Sequence, residues 1–319
     1  MALSVRLGVR PRPALPVSDR AFNALLLAGS ALVLAMIAVL GLSLTRGAMP
    51  ALAHFGWRFL FSSDWDPIRE KFGALPFIFG TLASSALALL FAVPVGGGSA
   101  IFLAEIAPQW LARPLSFLVE LVAAVPSVIY GMWGLFVVVP ILAKLEAAAS
   151  TRWPTFFLFS GAPIGIGLLA AGVILAIMIL PIVAAISREA ILAVPRNQSE
   201  AGLSLGATRW ETLAGPVLKY ARKGIIGAVI LALGRALGET MAVTMVIGNS
   251  PQIKASLFES AYSMSAVIAN EFAEATGKLS TASLVEIALL LLAVTILVNA
   301  LARLMIWGAV SSTEGGGKA

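Results

Sequence analysis

The sequence predicts an all-α membrane protein with six transmembrane helices. Three observations carry that reading. Apolar residues fill 59% of the 319 positions and charged residues only 12%, about half the charged fraction of soluble domains. Mean hydropathy over the whole chain is +0.96. Six apolar runs each reach the roughly 20 residues that a helix needs to cross a bilayer. Length alone would allow about two soluble domains, and the hydropathy overrides that prior. Inside lipid every backbone N–H and C=O must be satisfied within its own segment, so the runs are read as helices rather than strands.

The elements follow in chain order. Residues 1–20 form a basic tail with Arg6, Arg10, Arg12 and Arg20. Residues 21–45 are the first span. That run is too long for a signal-peptide core and lacks a small-x-small cleavage site, so it is expected to stay in the membrane. Residues 75–104 are the second span, with Pro94 and Gly96-Gly97-Gly98 inside it. Residues 115–140 are the third, interrupted by Glu120 and Pro126, and residues 164–187 the fourth, with Pro181 near its end. Proline and glycine inside spans predict kinks or close helix contacts. Residues 224–247 are the fifth span and 284–307 the sixth, so that residues 21–308 make the membrane domain and 309–319 a second tail.

Six spans place both termini on one face. Thirteen lysines and arginines fall on that face and eight on the other, a bias that puts the termini and residues 195–223 in the cytoplasm. The external connections are then residues 46–73, with Asp64, Asp66, Trp57 and Trp65, residues 144–163, with Trp153, and residues 249–283, with Glu259, Glu271 and Glu274. Tryptophans near span ends are read first as headgroup anchors.

Composition excludes several functions. The chain has no cysteine, hence no disulfide, thiolate metal site or Cys nucleophile. A lone His54, in a predicted loop, is a poor start for a transition-metal site, and no metal or cofactor is expected. The formal charge of +6 is scattered among acids and suits anionic lipid headgroups, with no nucleic-acid-binding run. Gly96-Gly97-Gly98 lacks the Lys and Ser/Thr of a P-loop and reads as a packing or hinge site. No Ser–Lys, His or paired-carboxylate constellation shares one depth, so the chain is not expected to be an enzyme. Glu120 and Glu286 fall near span ends, within reach of headgroups, and are assigned no role.

Two segments carry the functional signal. Residues 195–223 read PRNQSEAGLSLGATRWETLAGPVLKYARK, polar and basic between two apolar spans. Pro195 and Ser199 suggest a helix start, Gly206 its end in a positive-φ conformation, and Thr208 the cap of a second short helix. Glu211, three residues on, would complete a capping box. Two short helices bent at Gly206 make a rigid handle; the bland alternative is an amphipathic connector lying on the membrane, with Trp210 in the interface. The second segment is the fifth span, which carries Arg235 and Glu239 in its interior. Four residues apart on one helix they share a face and can pair. Charge within a membrane is costly and normally faces a bundle interior or a watery path, so the pair is a functional candidate, with a structural ion pair as the alternative. Arginine keeps its charge and offers a planar fork of donors that binds an oxyanion in a bidentate way.

Glu200-Ala201-Gly202 followed by Gly206, in a cytoplasmic loop before the penultimate helix, resembles the coupling signature of binding-protein-dependent ABC importer permeases. Residues 72–78 (FGALPFI) with Gly80-Thr81, residues 123–131 (AAVPSVIYG) and residues 234–242 (GRALGETMA) are similar to the PstC-type family of phosphate-importer permeases within that superfamily. Two departures stand out: Gly202 where the family often has Ala, and Lys219 with an earlier Pro216 where it usually has Leu-Pro. The resemblance implies a type I ABC importer permease (MetI-like) architecture in a bacterial inner membrane. It implies that this chain forms half of a path for inorganic phosphate, with Arg235 and Glu239 in that path. Glu200, Ala201, Gly202, Gly206, Ala207 and Trp210 take the ATPase-coupling role. The implied partners are a second, related permease (PstA-type), a PstB-type ATPase dimer, a PstS-type periplasmic phosphate-binding protein and membrane lipid, with no nucleic acid. The rival readings are a permease for another oxyanion, such as molybdate or sulfate, and an ion-driven secondary transporter. The sequence shows no clear internal repeat of the kind the latter often carries.

Overall fold

The structure, a computed structural model, describes residues 16–154 and 156–314. Arg6, Arg10 and Arg12 of the basic tail and Lys318 of the last tail therefore lie outside the described residues. The chain divides into two units, residues 1–46 and 47–319. Helix α1 (Pro16–Phe55) carries the first apolar run. Between residues 21 and 43 its leucines, valines and isoleucines stand exposed, which suits a helix solvated by lipid. His54 sits in the last turn of this helix, not in a loop.

The remaining elements are helical among the described residues. A short α2 (Arg58–Phe61) precedes α3 (Leu75–Ile101), which runs on as a π-helical turn over Phe102–Ile106. Then come α4 (Gln109–Ala123), α5 (Ser127–Trp133), a π-turn over Gly134–Val138, and α6 (Val139–Arg152). After a 3₁₀ turn at Phe157–Phe159 follow α7 (Leu168–Leu192), α8 (Arg196–Ser204) and α9 (Arg209–Thr212). A π-turn over Leu213–Val217 leads into α10 (Leu218–Leu237), and α11 (Met241–Val246), α12 (Met264–Glu271) and α13 (Lys278–Glu314) complete the fold.

Among the described residues, five stretches are long and apolar enough to cross a membrane: Ala21–Phe55, Leu75–Ile106, Ser127–Arg152, Leu168–Leu192 and Lys278–Leu304. Two of the six expected spans need correction. The third is not one helix over residues 115–140. It breaks at residues 124–126, where Pro126 has no N–H to give and disfavours helical geometry at Val125. Tyr130 bridges the break, its hydroxyl donating to the Val122 carbonyl at 2.6 Å. The long apolar helix starts after the break, so Lys144 and Arg152 belong to it and not to a loop. The fifth span is also two pieces: α10 stops at Leu237 and α11 begins at Met241. Lys219, Arg222, Lys223 and Arg235 make α10 more polar than the other five stretches.

Helix α7 is the hub: it packs chiefly against α3 and α10, and its Ile174, Ile179 and Val183 are fully buried. Close approach depends on small residues, as is usual between membrane helices. A Cβ on Gly172 would stand 2.6 Å from the Leu87 Cβ, and one on Gly96 would stand 3.0 Å from Val183. Gly96 thus packs, whereas Gly97 and Gly98 face open space. Gly172→Leu should lower stability by about 1–3 kcal/mol through overpacking, seen as a reduced thermal unfolding midpoint in detergent.

A second core joins the connections before α3 and after α11. Phe59, Phe72, Phe77, Tyr262, Met264, Leu284 and Ile287 are buried together. Trp65 packs edge-on against Phe72 and Phe77, with ring centroids at 4.9 and 4.8 Å, and donates its indole N–H to Glu271 at 2.8 Å. Trp65 is therefore a core residue rather than a headgroup anchor. Glu286 also departs from expectation: its side chain is buried in α13 instead of reaching outward.

Burial holds the Glu271 carboxyl above the usual carboxylate range; the Trp65 and Tyr262 hydrogen bonds oppose this and Glu274 adds to it. Burial likewise pushes the Tyr262 phenol up to about 12. A raised folded-state value means that the Glu271 contribution is complete below its unfolded value of about 4.3 and is lost as pH rises through the folded value. The unfolding midpoint should fall over that window in the wild type. In Glu271→Gln this part of the slope should disappear, measured by thermal unfolding at stepped pH.

Candidate functional site

The first candidate region is the handle between α7 and α10. Helix α8 ends in a Schellman motif: the Ala207 N–H donates to the Gly202 carbonyl at 3.3 Å and the Gly206 N–H to the Leu203 carbonyl at 3.0 Å. Gly206 has φ +83°, the left-handed conformation that favours glycine. Thr208 then caps α9 in the expected capping box. Its hydroxyl accepts from the Glu211 N–H at 3.3 Å, and the Glu211 carboxylate accepts from the Thr208 N–H at 2.8 Å. The Thr208 backbone N–H, and after it the Thr208 hydroxyl, hold the Glu211 carboxyl below its ordinary value.

The handle is braced from below and bare above. Leu213, Val217 and Ala221 pack with Ala100 of α3 and Ile191 of α7 in a small core of their own. Pro216 sits within the π-turn at Leu213–Val217, and Lys219 is the second residue of α10. Gly202 lies tight against α9: a Cβ there would meet the Thr212 side chain at 3.0 Å, so alanine fits only if Thr212 yields. On the free side Leu205 is 89% exposed and Trp210 64% exposed. Glu200 and Ala201 are exposed too, and the Glu200 carboxylate has no hydrogen-bond partner among the described residues. A rigid, capped motif that presents Leu205, Trp210 and a free carboxylate has the features of a docking surface.

The second region lies at the break between α10 and α11. The expectation that Arg235 and Glu239 share one continuous helix needs correction, because α10 ends between them. The pair still forms, at 3.8 Å from Arg235 Nη2 to Glu239 Oε2. Glu239 does two jobs there. Its Oε1 accepts from the Ala242 N–H at 3.3 Å, at the start of α11, while its other oxygen faces the guanidinium. Ser265 of α12 fixes the break by donating to the Glu239 carbonyl at 2.6 Å. The Glu239 side chain is 6% exposed and that of Arg235 43%, so the carboxylate is fixed while the guanidinium stays open. At 3.8 Å the pair is a Coulombic contact and not a hydrogen bond, which leaves guanidinium donors for another oxyanion.

Arg235 opens into a groove of about 910 Å³ between α10, α7 and α13, where Asn299 and Arg303 also face. Neither residue stands out in the sequence. Arg303 reads as one more cation near a span end and Asn299 as a lone amide, and only the pairing of α10 with α13 brings them beside Arg235. Glu120 is exposed, as expected, and lines a small cavity with Arg188 and Glu189.

Residues 92–306 match the family described as binding-protein-dependent transport system inner membrane component. A phosphate transport system permease protein PstC from Mesorhizobium japonicum is 47% identical over 298 residues, which are 91% of this chain and 90% of that protein. The protein of the same name from Pasteurella multocida is 46% identical over 279 residues, 86% of this chain and 87% of its own. Among solved structures, a bacterial ABC transporter involved in the import of the acidic polysaccharide alginate aligns with a TM-score of 0.53 at 19% identity. That alignment covers 90% of this chain and 97% of the other, and it speaks to fold alone.

Proposed function

The chain belongs to the binding-protein-dependent transport inner-membrane family, and we propose that it works as the phosphate-conducting permease subunit of an ATP-driven importer. The observation that carries the reading is the Arg235 guanidinium, held beside a fixed carboxylate at a helix break yet open on its other side. Such a group binds a phosphate oxyanion by charge-assisted hydrogen bonds. The nearby Glu239 carboxylate weakens that binding, which a path needs if its cargo is to leave.

In this reading the chain forms half of the path and a related permease the other half. The handle at residues 195–223 faces the cytoplasm with both termini. Glu200, Ala201, Gly202, Gly206, Ala207 and Trp210 dock on an ATPase subunit, which supplies all the hydrolysis. A binding protein delivers phosphate to the opposite face. The family membership and the names of the relatives support this assembly, and the bare handle supports the docking.

The test is radiolabelled phosphate uptake in cells whose own phosphate permease is replaced by this chain. Uptake that survives a large excess of molybdate or sulfate, and is competed by unlabelled phosphate, supports the assignment. Competition by sulfate or molybdate would transfer the chain to another oxyanion.

A further inference from the structure

We propose that the groove between α10 and α13 is a second phosphate-binding subsite, in which Arg303 and Asn299 receive the anion from Arg235. The inference rests on the phosphate-permease reading and adds residues to it. Thr295, Asn299 and Arg303 recur every four residues, so they form a polar stripe along one face of α13 within residues 287–308, which are otherwise apolar. That stripe lines the same groove as Arg235. Opposite it α10 offers Gly227 and Gly234, the latter so near that a Cβ would lie 3.7 Å from the Asn299 amide.

The charge in the groove is one-sided. Among the described residues its lining includes two arginines and no carboxylate. Arg303 forms no ion pair among the described residues, whereas Arg235 keeps Glu239 beside it. Two like charges in a largely apolar groove repel, and an anion between them relieves the repulsion. Asn299 donates one amide N–H to the Thr295 carbonyl at 2.9 Å, which fixes the amide and leaves its second N–H for a ligand. Arg303 lies in the last turn of the apolar stretch Lys278–Leu304. An anion leaving Arg235 thus meets a fixed amide and then a guanidinium at the end of the membrane helix. The chemistry suits a phosphate group, and a lipid headgroup carries the same chemistry; the occupant during transport is the free inorganic ion.

The test uses the complete complex in liposomes, with ATP inside and binding protein outside. Arg303→Met keeps the apolar stem and removes the charge; Arg303→Lys keeps the charge. Uptake of labelled phosphate should drop about tenfold in Arg303→Met, the loss of one charge-assisted contact. It should be largely kept in Arg303→Lys, with ATP hydrolysis continuing in both. A purely structural role would not follow the charge. Normal uptake by Arg303→Met, beside a silent Arg235→Ala, would overturn the subsite and leave the path reading standing. Normal uptake by both variants would remove the path reading and the subsite with it. The Arg303→Met defect should be equal in phosphatidylcholine and in phosphatidylglycerol vesicles. A defect confined to phosphatidylglycerol would mark a headgroup site instead and overturn the proposal.

Discussion

Arg235→Ala should reduce phosphate uptake to background while the complex still assembles in the membrane. The substitution removes the open guanidinium and leaves the Glu239 carboxylate, with a side chain only 6% exposed, without its cation. A passing anion then meets a bare negative charge where it had met a positive one. Losing a bidentate, charge-assisted contact costs about 1.5–3 kcal/mol, roughly ten- to a hundredfold in rate, and the unmasked carboxylate adds repulsion. Arg235→Lys keeps the charge without the fork and should fall between. Glu239→Gln keeps an oxygen for the Ala242 N–H, so it should preserve the start of α11 and change only the charge balance. The readouts are labelled-phosphate uptake and membrane content of the protein. Wild-type uptake by Arg235→Ala would remove this residue from the path.

Gly206→Asp should abolish uptake by a different route. The residue sits at φ +83°, so a side chain there costs about 1 kcal/mol, less for Asp than for most residues. A Cβ at this position meets nothing within 4 Å, so the fold of the handle itself tolerates it. What changes is the surface proposed for docking: a charge enters next to the exposed Leu205, on a face that the proposed ATPase partner would cover. The variant should reach the membrane at normal level, lose more than about tenfold of its uptake, and fail to couple ATP hydrolysis to transport. Gly206→Ala, with the same backbone strain and no charge, should lose much less. Equal loss in both variants would point to strain in the handle rather than to docking.

These two regions were legible to different degrees. The handle could be read residue by residue because its chemistry is local: Gly206, Thr208 and Glu211 act within a few positions of one another, and the turn and the capping box form as their spacing predicts. The membrane helices were legible as a class because apolar runs of this length have no other stable use. Their breaks were legible only in part. Pro126 inside an apolar run reads as a kink, and residues 234–242 read as continuous helix. Both interruptions are held by distant or side-chain partners, the Tyr130 hydroxyl on the Val122 carbonyl and the Ser265 hydroxyl on the Glu239 carbonyl. Trp65 was misplaced for the same reason, since its partner Glu271 lies 206 residues away. At the site, Arg235 and Glu239 announced themselves as charges in an apolar run. Asn299 and Arg303 needed the packing of α13 against α10 to be seen.

The proposed function makes phosphate conduction by this chain dependent on an ATPase. The most direct measurement is phosphate uptake into liposomes holding the complete complex, with binding protein outside and ATP, or none, trapped inside. Phosphate should accumulate with ATP and not without it, and should not accumulate when the ATPase subunit is omitted. Uptake driven by a proton or sodium gradient in vesicles that hold this chain alone would contradict it and make the protein a secondary carrier.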